Sequence, residues 1–317
     1  MTKEDFYMAH DHAFKTIHSH HFGWDNSFPP ALRTAPGETL EFAVVDASGG
    51  QLSAQSGTSD VAALDFGKVN PVTGPVYLEG AEPGDAVVIE LLEFEESGWG
   101  WTAIIPGFGL LASEFPNPAL NISHYTVQSV EFMPGIRLPT KPFPGTIGLA
   151  LAAPGHHSVV PPREVGGNLD IRDLTRGAKL FLPVQVAGAL FSVGDTHAAQ
   201  GDGEVCGTAV ETPMRLRLKL DLWKGANLKR PEFDLPYLPT AHIDSKGYYA
   251  TTGIGPDLFH AAQDAVRGMI DHLGREYKLG PEQAYMLCSV AVDLRISEVV
   301  DAPNWVVSAY LPKGIFQ

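Results

Sequence analysis

The sequence predicts a mainly β protein, made of sandwich-like or barrel-like sheets, with a smaller α+β portion at its C-terminal end. The 317 residues include 33 glycines and 25 prolines, more than the usual share of these turn formers, which indicates many turns and short strands. The spacing of apolar residues becomes helical only after about residue 255. With 44% hydrophobic and 19% charged residues, the chain has enough apolar side chains to bury a sizeable core.

Short apolar segments bounded by glycine, proline and aspartate predict most of the strands. In chain order these segments are residues 40–45, 76–78, 86–92, 123–130, 146–153, 179–184 and 188–193. The aromatic segment 98–118 is interrupted by glycine and proline, so we expect a loop or the wall of a pocket there. The clearest strand is 214–222, where apolar residues alternate with charged ones and predict one buried and one exposed face.

The C-terminal part of the chain predicts two helices and a closing strand. Apolar residues recur at three and four positions from Leu258 to Leu273, and Gly274 is the expected C-terminal cap of this helix. A second helix is expected from Pro281 to about Val292, and a strand over residues 305–311.

A proline-rich connector over residues 231–239 suggests where the chain divides. We predict a mainly β, metal-binding catalytic region over residues 1–235. We predict an α+β region over residues 236–317 that packs on it.

The segment 193–211, VGDTHAAQGDGEVCGTAVE, is the best candidate for chemistry. Asp195, His197, Asp202 and Glu204 alternate with glycines, which permit positive φ and close approach of the backbone. Apolar residues on both sides predict a turn between two strands. Oxygen ligands with one imidazole suit a divalent metal ion. A glycine-rich turn whose aspartates bond their own backbone explains the same residues, and the segment alone leaves both interpretations open.

Charge and cysteine content exclude several classes of function. The formal net charge of −15 repels phosphate backbones and anionic lipid headgroups, so we expect neither a nucleic-acid nor a membrane partner. No apolar run approaches the ~18 residues of a membrane span. The two cysteines cannot form a disulfide framework, and the N-terminal residues have no secretion-signal pattern. We therefore expect a cytoplasmic protein.

Several segments resemble the acetamidase/formamidase family, in the same order and from about residue 18 to the C-terminal end. They are residues 20–26 (HHFGWDN), 46–51 (DASGGQ), 70–81 (NPVTGPVYLEGA), 167–170 (GNLD), 182–184 (LPV), 194–197 (GDTH) and 200–204 (QGDGE). The last two are the most specific. The resemblance implies hydrolysis of short amides, such as formamide or acetamide, to ammonia and a carboxylate. It also implies a divalent metal ion, with zinc expected, and a homo-oligomer, either a dimer or a larger assembly.

The resemblance favours the metal interpretation of the central segment. Positions two apart in an extended chain face the same way, so Asp195 and His197 are the expected metal ligands. His20, next to a compact aromatic stretch, is the expected remote ligand. Lower-ranking site candidates are Asp46, Asp170 and Asp202.

Glu204 is the expected general base and acid, which takes a proton from the attacking water and gives it to the leaving nitrogen. A role as a ligand is the alternative for Glu204. Backbone N–H groups of residues 201–203 are candidates for an oxyanion pocket. Cys206 suggests a thiol nucleophile, which ranks below the metal mechanism because no feature of the sequence lowers its pKa.

Two other functions fit the same residues. The aromatic loop from Trp99 to Phe115, together with Phe143, suits a roomier pocket, and the protein would then hydrolyse lactams, carbamates or larger amides on the same scaffold. Alternatively, Trp99 and Trp101 beside acidic turns suit a non-catalytic β-sandwich module that binds a sugar or another small ligand.

Overall fold

The computed structural model of the protein describes residues 14–236, 246–300 and 302–317. The predicted fold class is confirmed, because strands dominate these ranges and the longer helices lie near the C-terminal end. The strands are β1 Lys15–Ile17, β2 His20–His21, β3 Leu32–Thr34, β4 Glu38–Val44, β5 Val72–Leu78, β6 Ala86–Glu96, β7 Trp99–Ile104, β8 Ala119–Tyr125, β9 Ser129–Met133, β10 Ile136–Pro139, β11 Phe143–Gly148, β12 Gly166–Asn168, β13 Lys179–Pro183, β14 Phe191–His197, β15 Met214–Trp223, β16 Glu232–Asp234, β17 Tyr248–Gly255, β18 Asp293–Glu298 and β19 Trp305–Pro312. The helices are α1 Thr58–Ala62, α2 Leu258–Tyr277 and α3 Pro281–Ala291, with 3₁₀ turns at Phe66–Lys68 and Lys313–Ile315.

The first large sheet has the strand order β1-β4-β15-β6-β13-β16. Strand β15 lies inside it, antiparallel to both β4 and β6. Its leucines at 216, 218 and 220 are fully buried, as the alternation in the sequence predicts. On the other face Arg217 bonds the carboxylates of Glu41 and Glu93 at 3.1 and 2.7 Å.

The second large sheet has the order β12-β11-β14-β5-β2, with β3 also paired to β5. All seven residues of β14 are buried, so this strand lies at the centre of the protein. The rings of Phe42 on β4 and Phe191 on β14 meet edge to face at 5.6 Å, which packs the two large sheets on each other.

A four-stranded sheet, in the order β10-β9-β8-β7, corrects two predictions about local structure. The segment 123–130, predicted as one strand, contains the turn between β8 and β9. Part of the segment predicted as a loop, 98–118, is strand β7. Trp101 of β7 is buried, with 1% of its surface exposed, so the aromatic residues here belong partly to the core.

The C-terminal portion consists of the sheet β17-β19-β18 and helices α2 and α3. Helix α2 begins at the Asp257 cap, whose carboxylate accepts a hydrogen bond from His260 N–H at 2.8 Å. It continues past Gly274, the predicted cap, and ends where Lys278 adopts a left-handed conformation with φ of 58°. Helix α3 ends within one residue of its predicted end and is buried from Ala284 to Ala291.

The predicted division at residue 235 lies beside residues 237–245, which are outside the described ranges, so this boundary stays a prediction. Apolar residues from both predicted regions form one continuous core. Within the described ranges, no helix has the length and apolar character needed to cross a membrane.

Candidate active site

Strand β14 brings two predicted site residues into contact at its C-terminal end. His197 is fully buried, and its Nε2 lies 3.2 Å from Asp195 Oδ1. Asp195 has a φ of 53°, a left-handed conformation that non-glycine residues rarely adopt and that often marks functional sites.

Asp170 reaches the same point from the neighbouring strand pair. It follows β12, and β11 lies between β12 and β14. Gly145 of β11 makes this meeting possible, because a Cβ atom there would lie 2.5 Å from Asp170 Oδ1 and 2.9 Å from Asp195 Oδ2. The carbonyl of Gly145 also accepts a hydrogen bond from Asp170 N–H at 3.2 Å. The absence of a side chain at Gly145 therefore leaves room for the carboxylates.

Residues 198–213, which connect β14 to β15, supply two further carboxylates. Glu204 Oε1 lies 3.9 Å and Glu211 Oε2 lies 3.1 Å from His197 Nε2. Glu211 is buried and pairs with the backbone of His197 as an isolated β-bridge. Glu204 and Asp170 are the partly exposed members of the cluster.

Gln200 fixes the orientation of the imidazole. Its Nε2 donates to the carbonyl of Asp170 at 2.9 Å, which leaves its Oε1 to accept a hydrogen bond at 2.9 Å from His197 Nδ1–H. The Nδ1 atom of His197 is thereby held as the donor, and Nε2 faces the carboxylates. Partners of this kind are typical of histidines that bind metal ions.

The electrostatics of the cluster follow from burial and crowding of like charges. Burial and the charge of Asp195 raise the pKa of Asp170 to about 7, and burial raises the pKa of Glu211 to about 8. Burial and Asp170 hold the pKa of Glu204 well above its usual value. Burial opposes ionisation of Asp195, but the charge of His197 and the hydrogen bonds to Asp195 from its neighbours together lower the Asp195 pKa.

The charged form of the His197 imidazole is favoured by the same carboxylates. Burial disfavours its charged form, yet Glu211 and Asp195 raise the pKa of His197 well above its usual value. Four carboxylates around one imidazole thus favour a positive charge at their centre.

The cluster fits a divalent cation. Two groups of ligand atoms gather within 4.8 Å, one from Asp170, Asp195 and His197 and one from His197, Glu204 and Glu211. Asp170 Oδ1 and Glu211 Oε2 are buried without a hydrogen-bond partner, although buried polar atoms normally have one. Both groups of ligand atoms include His197, and Gln200 already bonds the Nδ1 atom of this residue. Only Nε2 is therefore available as a ligand atom, so the cluster suits one ion bound at Nε2.

Polar residues on neighbouring strands surround the Asp195 carboxylate. Asn70 Nδ2 donates to Asp195 Oδ2 at 3.4 Å, and Thr146 Oγ1 lies 3.2 Å from the same oxygen. Asn70, Asp170 and Glu204 all have positive φ, of 51°, 50° and 43°. Such strain persists only where the surroundings determine the conformation.

The structure places three predicted site residues outside this cluster. His20 lies on β2, where its exposed ring packs edge to face on Phe22 at 5.7 Å. Asp46 is buried, and its Oδ1 accepts hydrogen bonds from Trp101 Nε1 at 3.0 Å and from the N–H of Ser48 at 2.9 Å. Asp46 therefore stabilises its own turn and lies outside the cluster.

Asp202, the third of these residues, pairs with Arg172 rather than with the cluster. Its carboxylate lies 3.3 Å from Arg172 Nε, and burial raises its pKa. Cys206 is buried, which raises the pKa of its thiol to about 11. A thiol of this kind is a poor nucleophile.

Glu211 is the site residue that the sequence prediction missed. Its only signal is a carboxylate that follows the apolar Ala209 and Val210 directly before the clear strand β15. That signal does not show that the chain returns to His197.

Known proteins resemble the whole chain. The sequence model of the Acetamidase/Formamidase family matches residues 9–158 and 150–317. The formamidase of Methylophilus methylotrophus is 28% identical over 368 aligned positions, which cover 94% of this chain and 89% of that protein. The gamma lactamase from Delftia acidovorans superimposes with a TM-score of 0.88 at 29% identity, covering 94% of this chain and 89% of that chain. The acetamidase from Bacillus halodurans superimposes with a TM-score of 0.67 at 30% identity, covering 94% and 97%.

These matches confirm the predicted class of enzyme, an amidohydrolase that acts on linear amide C–N bonds. The chain belongs to the acetamidase/formamidase family. The non-catalytic binding module is therefore set aside.

Proposed function

We propose that the protein hydrolyses short linear amides of the formamide and acetamide type to ammonia and a carboxylate, at the cluster around His197. The observation that carries this proposal is the buried imidazole with four carboxylates in a chain of this family. Amide hydrolysis needs an activated water and a stabilised oxyanion, and a cluster poised for a cation meets both needs.

We further propose that Asp195, His197 and Asp170 hold a divalent metal ion, with zinc as the expected ion. When bound, the ion supplies Lewis acidity, which lowers the pKa of water towards about 7 and polarises an amide carbonyl. Support comes from the unpartnered oxygen of Asp170 and from Gln200, which keeps His197 Nε2 directed at the carboxylates.

Glu204 carries the proton in this proposal. Its carboxylate is partly exposed and lies 3.9 Å from His197 Nε2. It accepts a proton from the attacking water and delivers it to the leaving nitrogen, so that ammonia leaves rather than amide anion. The raised pKa of Glu204 suits a group that holds a proton between these two steps.

Hydrolysis of γ-lactams is a second candidate function. The gamma lactamase from Delftia acidovorans superimposes on this chain better than the Bacillus halodurans acetamidase does, with TM-scores of 0.88 and 0.67. A cyclic amide keeps its amine tethered after hydrolysis, so the product is an amino acid and no ammonia is released.

A substrate panel tests both functions in one assay. Purified protein is incubated with formamide, acetamide, propionamide and γ-butyrolactam, and both ammonia and ring-opened amino acid are measured. We expect ammonia from the small linear amides. Ring opening without ammonia release from any linear amide would replace the first proposal by the second.

Assembly and location complete the proposal. A homo-oligomer is expected, and large apolar side chains exposed in the C-terminal portion, including Ile254, Ile296 and Val300, support it because such surface often marks an interface. A cytoplasmic location is expected, and the two buried free thiols, Cys206 and Cys288, are compatible with a reducing compartment. Light scattering on the purified protein tests the assembly.

A further inference from the structure

Glu204 lies in a turn and has a strained backbone conformation, which the hydrogen bonds of the turn alone do not stabilise. Its φ is 43°, and its own backbone makes two hydrogen bonds within the turn, from Glu204 N–H to the Gly201 carbonyl at 3.2 Å and from Gly207 N–H to the Glu204 carbonyl at 2.8 Å. A non-glycine residue in this conformation costs free energy and needs support from the surrounding structure.

Helix α3 supplies hydrogen bonds on both sides of Glu204. The Ser289 carbonyl accepts from Gly201 N–H at 2.8 Å. The Ser289 hydroxyl accepts from Cys206 N–H at 3.1 Å and donates to the Thr208 carbonyl at 2.7 Å. The turn is therefore held three residues before Glu204 and again two and four residues after it.

Tyr285 lies one helical turn before Ser289 on the same face of α3. Its hydroxyl donates to the Val205 carbonyl, directly after Glu204, and accepts from Leu111 N–H at 2.8 Å. Its ring stacks on Phe115 at 4.5 Å. Both Tyr285 and Ser289 are fully buried, so water does not compete for these bonds.

The turn also lies directly against the end of α3. A Cβ atom at Gly201 would lie 2.2 Å from the Val292 carbonyl, so only glycine permits this approach. The N–H of Leu294 donates to the Asp202 carbonyl at 3.1 Å. The C-terminal portion therefore contributes to the active site, although none of the side chains described there belongs to the carboxylate cluster.

We propose that Tyr285 and Ser289 are positioning residues for the reaction: their hydroxyls hold the turn that aims Glu204 at the His197 cluster. This inference rests on the proposed function, because it takes Glu204 as the proton carrier. Neither hydroxyl touches the reacting atoms, and each acts through the backbone of residues 205–208. Misplacing a catalytic group by about 1 Å costs about 100-fold in rate.

The variants Tyr285→Phe and Ser289→Ala each remove one hydroxyl. We expect kcat on acetamide to fall about 10- to 100-fold, with KM changed less than about threefold. Ser289→Cys, which keeps a weak donor and acceptor, recovers part of the lost kcat. Ser308→Ala is the matched control, because Ser308 is a buried serine of the same portion whose hydroxyl lies 2.7 Å from Ser297 Oγ; its kcat stays at the wild-type value.

A double-mutant cycle with Glu204→Gln separates positioning from general destabilisation. If the hydroxyls act through Glu204, adding Tyr285→Phe or Ser289→Ala to Glu204→Gln lowers the residual kcat by less than about twofold. An equal loss in both backgrounds, or unchanged kcat in both single variants, would overturn the inference. Tyr285→Phe keeps the stacked ring and carries the test alone if Ser289→Ala does not fold.

The same experiment distinguishes this failure from failure of the proposed function. A wild-type protein that releases no ammonia overturns the proposed function and this inference with it. A Glu204→Gln variant with wild-type kcat overturns the role of Glu204 as proton carrier, and this inference with it, while amide hydrolysis stands. An impaired Glu204→Gln variant beside fully active Tyr285→Phe and Ser289→Ala variants overturns the positioning role alone.

Discussion

The Oε2 atom of Glu211 lies 3.1 Å from Nε2 of His197, and this oxygen is buried without a hydrogen-bond partner. A carboxylate held in this way is unfavourable unless a positive charge faces it. In the metal-free protein, protonation of the cluster supplies that charge. In the metal-bound protein, the cation supplies it. This relationship gives Glu211 opposite effects on the stability of the metal-free protein and on metal binding.

Glu211→Gln is expected to weaken metal binding while protecting the metal-free protein at high pH. The pKa of Glu211 is raised to about 8, so the folded state binds this proton more tightly than the unfolded state. The stability of the metal-free wild-type protein therefore falls as pH rises towards about 8. The Glu211→Gln variant loses less stability than wild type over this rise in pH. Its metal affinity drops about 10- to 100-fold.

Calorimetric metal titration and urea unfolding at several pH values measure both effects. Glu93→Gln is the control, since Glu93 is an exposed carboxylate paired with Arg217 at 2.7 Å. An unchanged metal affinity in Glu211→Gln would remove Glu211 from the site.

Metal affinity is expected to rise with pH and to be accompanied by proton release. Asp170 and Glu211 have pKa values raised to about 7 and about 8, and the pKa of His197 is also raised. These protons leave when a cation binds, so affinity increases between about pH 6 and pH 9. Titrations in two buffers of different ionisation enthalpy count the protons; affinity independent of pH, without proton release, contradicts this account.

Gly145→Ala is expected to abolish metal binding and to lower kcat at least about 100-fold. The added methyl group would lie 2.5 Å from Asp170 Oδ1 and 2.7 Å from His197 Cε1, so the site must rearrange. Gly255→Ala is the control, because a Cβ atom at Gly255 meets nothing within 4 Å. Metal content and kcat measured for both variants decide the point, and a fully active Gly145→Ala would show that the carboxylates need not converge.

His20→Ala decides the remote-ligand prediction. Because the ring of His20 is exposed and packs on Phe22, we expect wild-type metal content and a kcat within about twofold of wild type. His197→Ala, measured in parallel, is expected to lose both. Loss of metal from the His20 variant would restore it as a ligand.

Local patterns predicted the strands and helices well because each pattern reports burial along one element. The alternation in 214–222 and the helical spacing after Leu258 both appear in the structure. The end of α2 was mispredicted because Lys278, rather than Gly274, adopts the left-handed conformation that ends the helix. The apolar spacing of the sequence does not show which of these two residues adopts that conformation.

The site was predictable only where its residues are close in sequence. Asp195 and His197 are two positions apart on one strand, and Glu204 follows within the same motif. Asp170 and Glu211 meet them through pairing of β11 with its neighbours and through the return of residues 198–213 to β14. Such long-range pairings leave no local periodicity, so Asp170 ranked low and Glu211 was missed.

Metal analysis combined with ammonia release from formamide and acetamide tests whether the protein hydrolyses short amides with a bound metal ion. Purified protein is measured before chelation, after complete metal removal, and after zinc is restored. We predict about one metal ion per chain, loss of ammonia release on removal, and recovery with zinc. Full activity in the metal-free protein would show that amide hydrolysis does not depend on a metal ion.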